Sequence, residues 1–135
     1  MKLKIVIINN MKKIATDLNQ SKRLAKILPI DSADMTCIGT EFVPYPYCES
    51  KFKGEDNVYP AWSLAALLNV LPNNEDISIN LSKGGYRIPT VEYPNNWFVD
   101  YEDETNGLNN CATSADNPID ACVEMVIKLH ELKML

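Results

Sequence analysis

The chain predicts an α+β domain: one small antiparallel sheet of about three to four strands packed against about three helices, as a single pair of layers. Three observations carry this. The last twenty residues show a capped amphipathic helix. Residues 77–81 alternate strictly between apolar and polar side chains and are followed by the glycine pair Gly84-Gly85. Residues 60–72 form an apolar stretch bracketed by Pro60 and Pro72.

Taken in order, residues 1–12 are expected to be an extension outside the core, disordered or an edge strand, because Met11 is itself a plausible start. A first helix is predicted over about residues 18–28, with Thr16 or Asp17 as cap, Gln20 completing a capping box and Pro29 as the stop. Leu18, Leu24, Ala25 and Leu28 form its buried side, and Lys22, Arg23 and Lys26 its solvated basic face. A short strand is expected at residues 35–38. Residues 43–47 should be extended, at an edge or in a loop, because Pro44 and Pro46 remove the amides a central ladder needs. Residues 60–72 read as the central helix, since apolar side chains fall on nearly every side.

Residues 77–81 and 86–88 read as a hairpin closed by Gly84-Gly85, and residues 97–101 as a third strand with Trp97, Val99 and Tyr101 on one side. Last comes the helix opened by Asn117 as cap, Pro118 in the first helical position and Asp120 at its positive end. Cys122, Met125, Val126, Leu129 and Leu132 form its apolar stripe, and Asp120, Glu124 and Lys128 its solvent row.

With 135 residues and 46% hydrophobic side chains, residues 13–135 fit one domain. A net charge of −5 with no dense Lys/Arg cluster argues against nucleic acid as a partner. No export signal or membrane-length apolar run is visible, so a cytoplasmic protein with reduced cysteines is expected.

No residue pattern assembles a reactive centre. His130 is the only histidine and suits the negative end of the last helix. Cys37, Cys48, Cys111 and Cys122 lack knuckle spacing and read as small buried hydrophobes; a convergence of Cys37, Cys48 and Cys111 would revive a zinc site. Glu102, Glu104, Asn106 and Gly107 echo the start of a calcium loop, but Thr113 stands where the bidentate carboxylate belongs. Carboxylate pairs such as Asp100 with Glu102 are not singled out, and Asp116 and Asp120 already serve a helix start. Lys83-Gly84-Gly85 has no phosphate-loop pattern. No catalytic, cofactor-binding or metal-ligating residue is therefore assigned, and no cofactor is expected. What remains is aromatic: Tyr45, Tyr47, Tyr59 and Trp97 are the candidate partner-contact residues, beside proline-rich segments where regular packing is interrupted.

Ile14-Ala15-Thr16-Asp17 with Gln20-Ser21, then residues 60–72, then Asn117-Pro118-Ile119-Asp120-Ala121 with Glu124-Met125, together resemble small uncharacterised proteins of prophages and integrative elements in gut anaerobes. The resemblance spans about residues 13–135. It implies a phage-like, mobile-element context and a single compact domain, and transfers no site residue. The expected function is a non-enzymatic accessory or protein-interaction domain, with a protein partner or a second copy as companion. The alternative is a small enzyme or divalent-cation binder using the acidic segment from Asp100 to Glu104.

Overall fold

The computed structural model describes residues 13–39, 41–43, 57–84, 86–88, 91–92 and 95–135. The expectations for residues 1–12, for Tyr45 and Tyr47 with their flanking prolines, and for Cys48 lie outside these. Among the described residues the fold is α+β, as predicted, but its strands are divided between two three-stranded sheets and a two-stranded ladder rather than gathered in one.

The first helix, α1 (Leu18–Ala25), begins where its capping residues dictate. The Asp17 carboxylate accepts the Gln20 amide at 2.8 Å, and the Gln20 side-chain oxygen accepts the Asp17 amide at 3.0 Å. The α-helix ends at Ala25, three residues short of the predicted Leu28, and the amide of the C-cap Lys26 bonds back to Arg23 and Leu24. Leu24 and Leu28 are buried as expected. Ser21 joins them, while Leu18 and Ala25 are only half-buried.

Strands β1 (Met35–Ile38), β2 (Glu41–Val43) and β3 (Val58–Ala61) form the first sheet, in the order β2-β1-β3, antiparallel throughout. Cys37 lies directly across from Phe42 on one side and Tyr59 on the other, which puts these three side chains on one face. Helix α1 covers that face, where Ala15, Met35, Cys37 and Ala61 form a small core with Leu18 and Phe42 against it.

Pro60 does not bracket a helix. It belongs to β3, an outer strand, where a missing amide is tolerated. The second helix, α2 (Leu64–Val70), starts only after Ser63, whose hydroxyl accepts the Ala66 amide at 3.3 Å. Nor is α2 the central helix: Ala66 and Leu67 are buried, but Ala65, Leu68 and Asn69 are exposed.

Strand β4 (Ile77–Lys83) pairs not with its sequence neighbour but with β7 (Trp97–Asp103), over seven consecutive residue pairs. The expected hairpin is therefore corrected: β5 (Tyr86–Ile88) pairs with β6 (Val91–Glu92) in a separate ladder. Gly84, at φ +76°, turns the chain out of β4, and its amide bonds the Asn96 carbonyl at 2.8 Å where the chain returns. Strand β8 (Cys111–Ala115), which the sequence did not announce, completes the second sheet in the order β4-β7-β8.

Helix α3 (Pro118–Glu131) has the predicted cap, with Asn117 accepting the Asp120 amide at 2.8 Å. It packs on β7, β8 and α2, and its buried residues include not only Cys122, Met125, Val126 and Leu129 but also Ile119, Ala121, Val123 and Ile127. Burial on several sides makes α3 the central helix. Leu132, predicted to continue the stripe, is the C-cap and is 51% exposed, because Lys133 at φ +58° turns the chain away. The main core joins α3 to Leu24, Trp62, Leu67, Val99 and Tyr101. No helix among the described residues is long and apolar enough to cross a membrane.

Candidate functional site

Two polar networks hold α1 in place and thereby shape a cleft beside it. In the first, Thr16 and Trp62 exchange hydrogen bonds: the Thr16 amide donates to the Trp62 carbonyl at 3.0 Å, and the Trp62 amide donates to the Thr16 hydroxyl at 3.1 Å. Ser21 closes the network at 2.9 Å from the Thr16 hydroxyl, so these fully buried polar groups are all satisfied. In the second, the Gln20 side chain donates to Asp120 at 2.7 Å, joining the first turns of α1 and α3. Lys13 lies 3.2 Å from the Asp17 carboxylate, 3.3 Å from that of Asp120, and 3.0 Å from the Gln20 oxygen. Burial works against the Asp120 charge, but hydrogen bonds from Gln20 and Asn117, together with Lys13, outweigh it and hold the carboxyl below the usual range.

Beside this network lies a cleft of about 680 Å³ between the start of α1 and the first sheet. Leu18 and Phe42 supply its apolar walls, and Lys13, Asp17, Asn19 and Asn57 its polar rim. Gly39 and Asn57 meet at one end of it, where the Gly39 amide donates to the Asn57 carbonyl at 2.9 Å. Both have a left-handed backbone, at φ +62° and +59°, a conformation that glycine and asparagine accept most readily. The rim ion pair is internally neutral, and the exposed side-chain amides of Asn19 and Asn57 bond no other described residue.

Of the predicted contact residues, Tyr59 and Trp97 can be placed. Tyr59 is half-buried on β3, with the Lys22 ammonium 5.5 Å from its ring centre. Trp97 is half-buried on β7, with Lys83 at 5.6 Å, and lines a second cleft of about 440 Å³ with Asp116, Asn117 and Pro118 at the start of α3. The two aromatics belong to different sheets, and neither lines the cleft beside α1. Its own walls went unassigned in the sequence: Leu18 reads as helix core, Phe42 stands just before the extended segment at residues 43–47 with no role of its own, and Asn57 carries no local signal beyond its tolerance of positive φ.

The remaining candidates have structural occupations. Asp103 accepts the Thr105 hydroxyl at 2.7 Å and the amides of Thr105 and Asn106 at 3.0 and 3.2 Å, and these bonds, the Thr105 hydroxyl foremost, hold its carboxyl below the usual range. Asp100 and Glu102 border a smaller cleft of about 250 Å³ with Asn110 and Cys111, while Glu104 is exposed. Asp34 accepts the amide and the hydroxyl of Ser63, fixing the start of α2. Cys37 and Cys122 are buried, and burial raises both thiols, that of Cys122 to about 11. Cys37 lies on the first sheet and Cys111 on the second, where its sulfur is 3.8 Å from that of Met125. Among the described residues no three His, Cys, Asp or Glu side chains gather where one metal ion could be held. His130 is exposed at the end of α3.

Compared with known proteins, the chain matches no protein-family model, no curated protein and no solved structure.

Proposed function

We propose that this protein is a non-enzymatic interaction domain that receives a bulky apolar side chain of a partner protein in the cleft between α1 and the first sheet. The observation that carries this is the make-up of that cleft: apolar walls from Leu18 and Phe42, with the side-chain amides of Asn19 and Asn57 at its mouth. Such amides can bond a peptide backbone on either side of an inserted side chain. The neutral Lys13–Asp17 rim favours a partner segment without a strong charge of its own. The setting in a mobile genetic element rests on the sequence resemblance over residues 13–135 alone. Catalysis or cation binding by the segment from Asp100 to Glu104 gains less support, since Asp103 is engaged in organising its own turn.

Selection of displayed random peptides against the protein tests the reading. Enrichment of peptides with a central large apolar residue is expected. Phe42→Asp should weaken the selected peptides by tenfold or more, in keeping with roughly 1.5–3 kcal/mol for one buried apolar side chain. The melting temperature serves as the check on folding. Peptides that bind Phe42→Asp and the parent equally well would place the contact elsewhere and overturn the assignment.

A further inference from the structure

We infer that β4 pairs edge to edge, antiparallel, with β4 of a second copy of this chain. The inference is independent of the cleft, because it arises from the second sheet and not from the first, which borders the cleft. Among the described residues, strand β4 is the outer strand of the second sheet.

Which of its backbone groups face outward follows from the ladder. Asp76 accepts the Glu104 amide at 2.8 Å, and the Gly84 amide donates to Asn96 at 2.8 Å. Both pairs continue the register in which Ser78 faces Glu102 and Asn80 faces Asp100. In an antiparallel ladder, residues that exchange hydrogen bonds alternate with residues whose amides and carbonyls point the other way. The even-numbered residues therefore bond β7, and Ile77, Ile79, Leu81 and Lys83 turn theirs outward. Ile77 is closed off: its amide donates to the Asn74 side chain at 3.1 Å, and its carbonyl accepts the Asn74 amide at 3.0 Å. Ile79 and Leu81 have no such cap, and no strand lies beyond them among the described residues.

This edge lacks the usual protections. Strand β4 has no proline, no irregularity in its seven pairs with β7, and a single charge at its far end, Lys83. It is also self-complementary. A two-fold axis at Asn80 sets Ile79 opposite Leu81 of the second copy, so the two residues on each strand whose outward groups no described residue caps meet and form four backbone hydrogen bonds. Ile79 and Leu81, both half-buried at the border of the main core, would then cover one another. Lys83 falls opposite Ile77, so like charges do not face each other. Asn80, whose side chain is exposed, faces its own copy as a pair without backbone hydrogen bonds, the closer of the two antiparallel spacings. The contact is narrow compared with a stable dimer interface, which assigns it to weak, concentration-dependent association.

Charge placed at Asn80 provides the test. Sedimentation equilibrium of the parent protein at low salt, from micromolar to millimolar concentration, should show a monomer passing to a dimer. Asn80→Lys, whose new charge lies across from Asp100 within its own sheet, should weaken the dimer tenfold or more without lowering the melting temperature, because it sets like charges face to face across the two-fold axis. Asn80→Asp should weaken the dimer equally but melt somewhat lower, since its carboxylate also faces Asp100. An equimolar mixture of the two variants should associate again as a heterodimer. Amide exchange at Ile79 and Leu81 should slow with rising concentration of the parent alone. A parent monomeric at every concentration, variants that dimerise undiminished, or a mixture that stays monomeric would each overturn the inference. So would slowing of the Ile79 and Leu81 amides only when a foreign extended peptide is added, which would assign the edge to another protein's strand.

Discussion

Replacing Asp120 by alanine should reveal how strongly the two helix starts are tied together. The carboxylate accepts the Gln20 and Asn117 side chains, each at 2.7 Å, and faces Lys13 at 3.3 Å. Hydrogen bonds to a charged group contribute about 1.5–3 kcal/mol each when fully shielded. With the Asp120 side chain 32% exposed, roughly half of that is the fair expectation for each, and the ion pair adds less than about 1 kcal/mol. Asp120→Ala should therefore cost about 2–3 kcal/mol near neutral pH, a fall in melting temperature of roughly 6–12 °C for a chain of this size. Because the folded carboxyl binds its proton less readily than the unfolded one, its ionised form stabilises the fold above the unfolded value of about 3.9. That contribution is lost as pH falls through the lower, folded value. Thermal denaturation followed by circular dichroism should thus show a full deficit at neutral pH that shrinks below about pH 4. A variant melting within a degree or two of the parent at neutral pH, or a deficit unchanged in acid, would refute the argument.

Three further outcomes follow from the buried groups. Trp62→Ala should cost about 3–5 kcal/mol in urea denaturation, while Trp62→Phe should cost distinctly less, because it keeps most of the volume and gives up mainly the 2.9 Å bond to Ser32. Thr16→Val should cost about 1–3 kcal/mol, since the buried Trp62 amide loses its acceptor; an unchanged urea midpoint would show that another group replaces it. Alkylation at mildly alkaline pH, read by peptide mass spectrometry, should leave Cys37 and Cys122 unmodified until denaturant is added, because both thiols are buried and shifted upward; rapid native labelling of Cys122 would contradict its burial.

Helix starts were the most legible part of the chain, because caps are local chemistry. Asp17 with Gln20, and Asn117 with Pro118, state their geometry within four residues. Strand pairing was not legible, since the partner of β4 is chosen by which side chains can share a buried face. Ile79 and Leu81 stand across from Tyr101 and Val99, and that match outweighs the nearby glycines that suggested a tight hairpin. The proline bracket misled for a related reason: Pro60 is compatible with an outer strand, and only Ser63 marked the true start of α2. Strand β8, with the sequence Cys-Ala-Thr-Ser-Ala, has side chains too small and too half-exposed to write an alternating pattern. The cleft combines Leu18, Phe42 and Asn57 from three separate segments, so no single window of sequence contains it.

The acidic character of the chain is partly accounted for by one meeting point. The first turns of α1 and α3 adjoin, since Gln20 and Asp120 occupy the same position relative to their respective caps and bond each other directly. Two positive helix ends side by side would repel. Asp17 and Asp120 supply the compensating charge, and Lys13, between them, offsets one of the two carboxylate charges. Lys13 also stands on the rim of the cleft, so the charge network that locks the helix starts fixes one side of the opening where a partner would enter. A ligand that drew Lys13 toward itself would loosen Asp120. Peptide binding in the cleft and the acid sensitivity conferred by Asp120 are for that reason linked quantities, and saturating peptide should change the size of the Asp120→Ala deficit, whereas a contact made elsewhere should leave it unchanged.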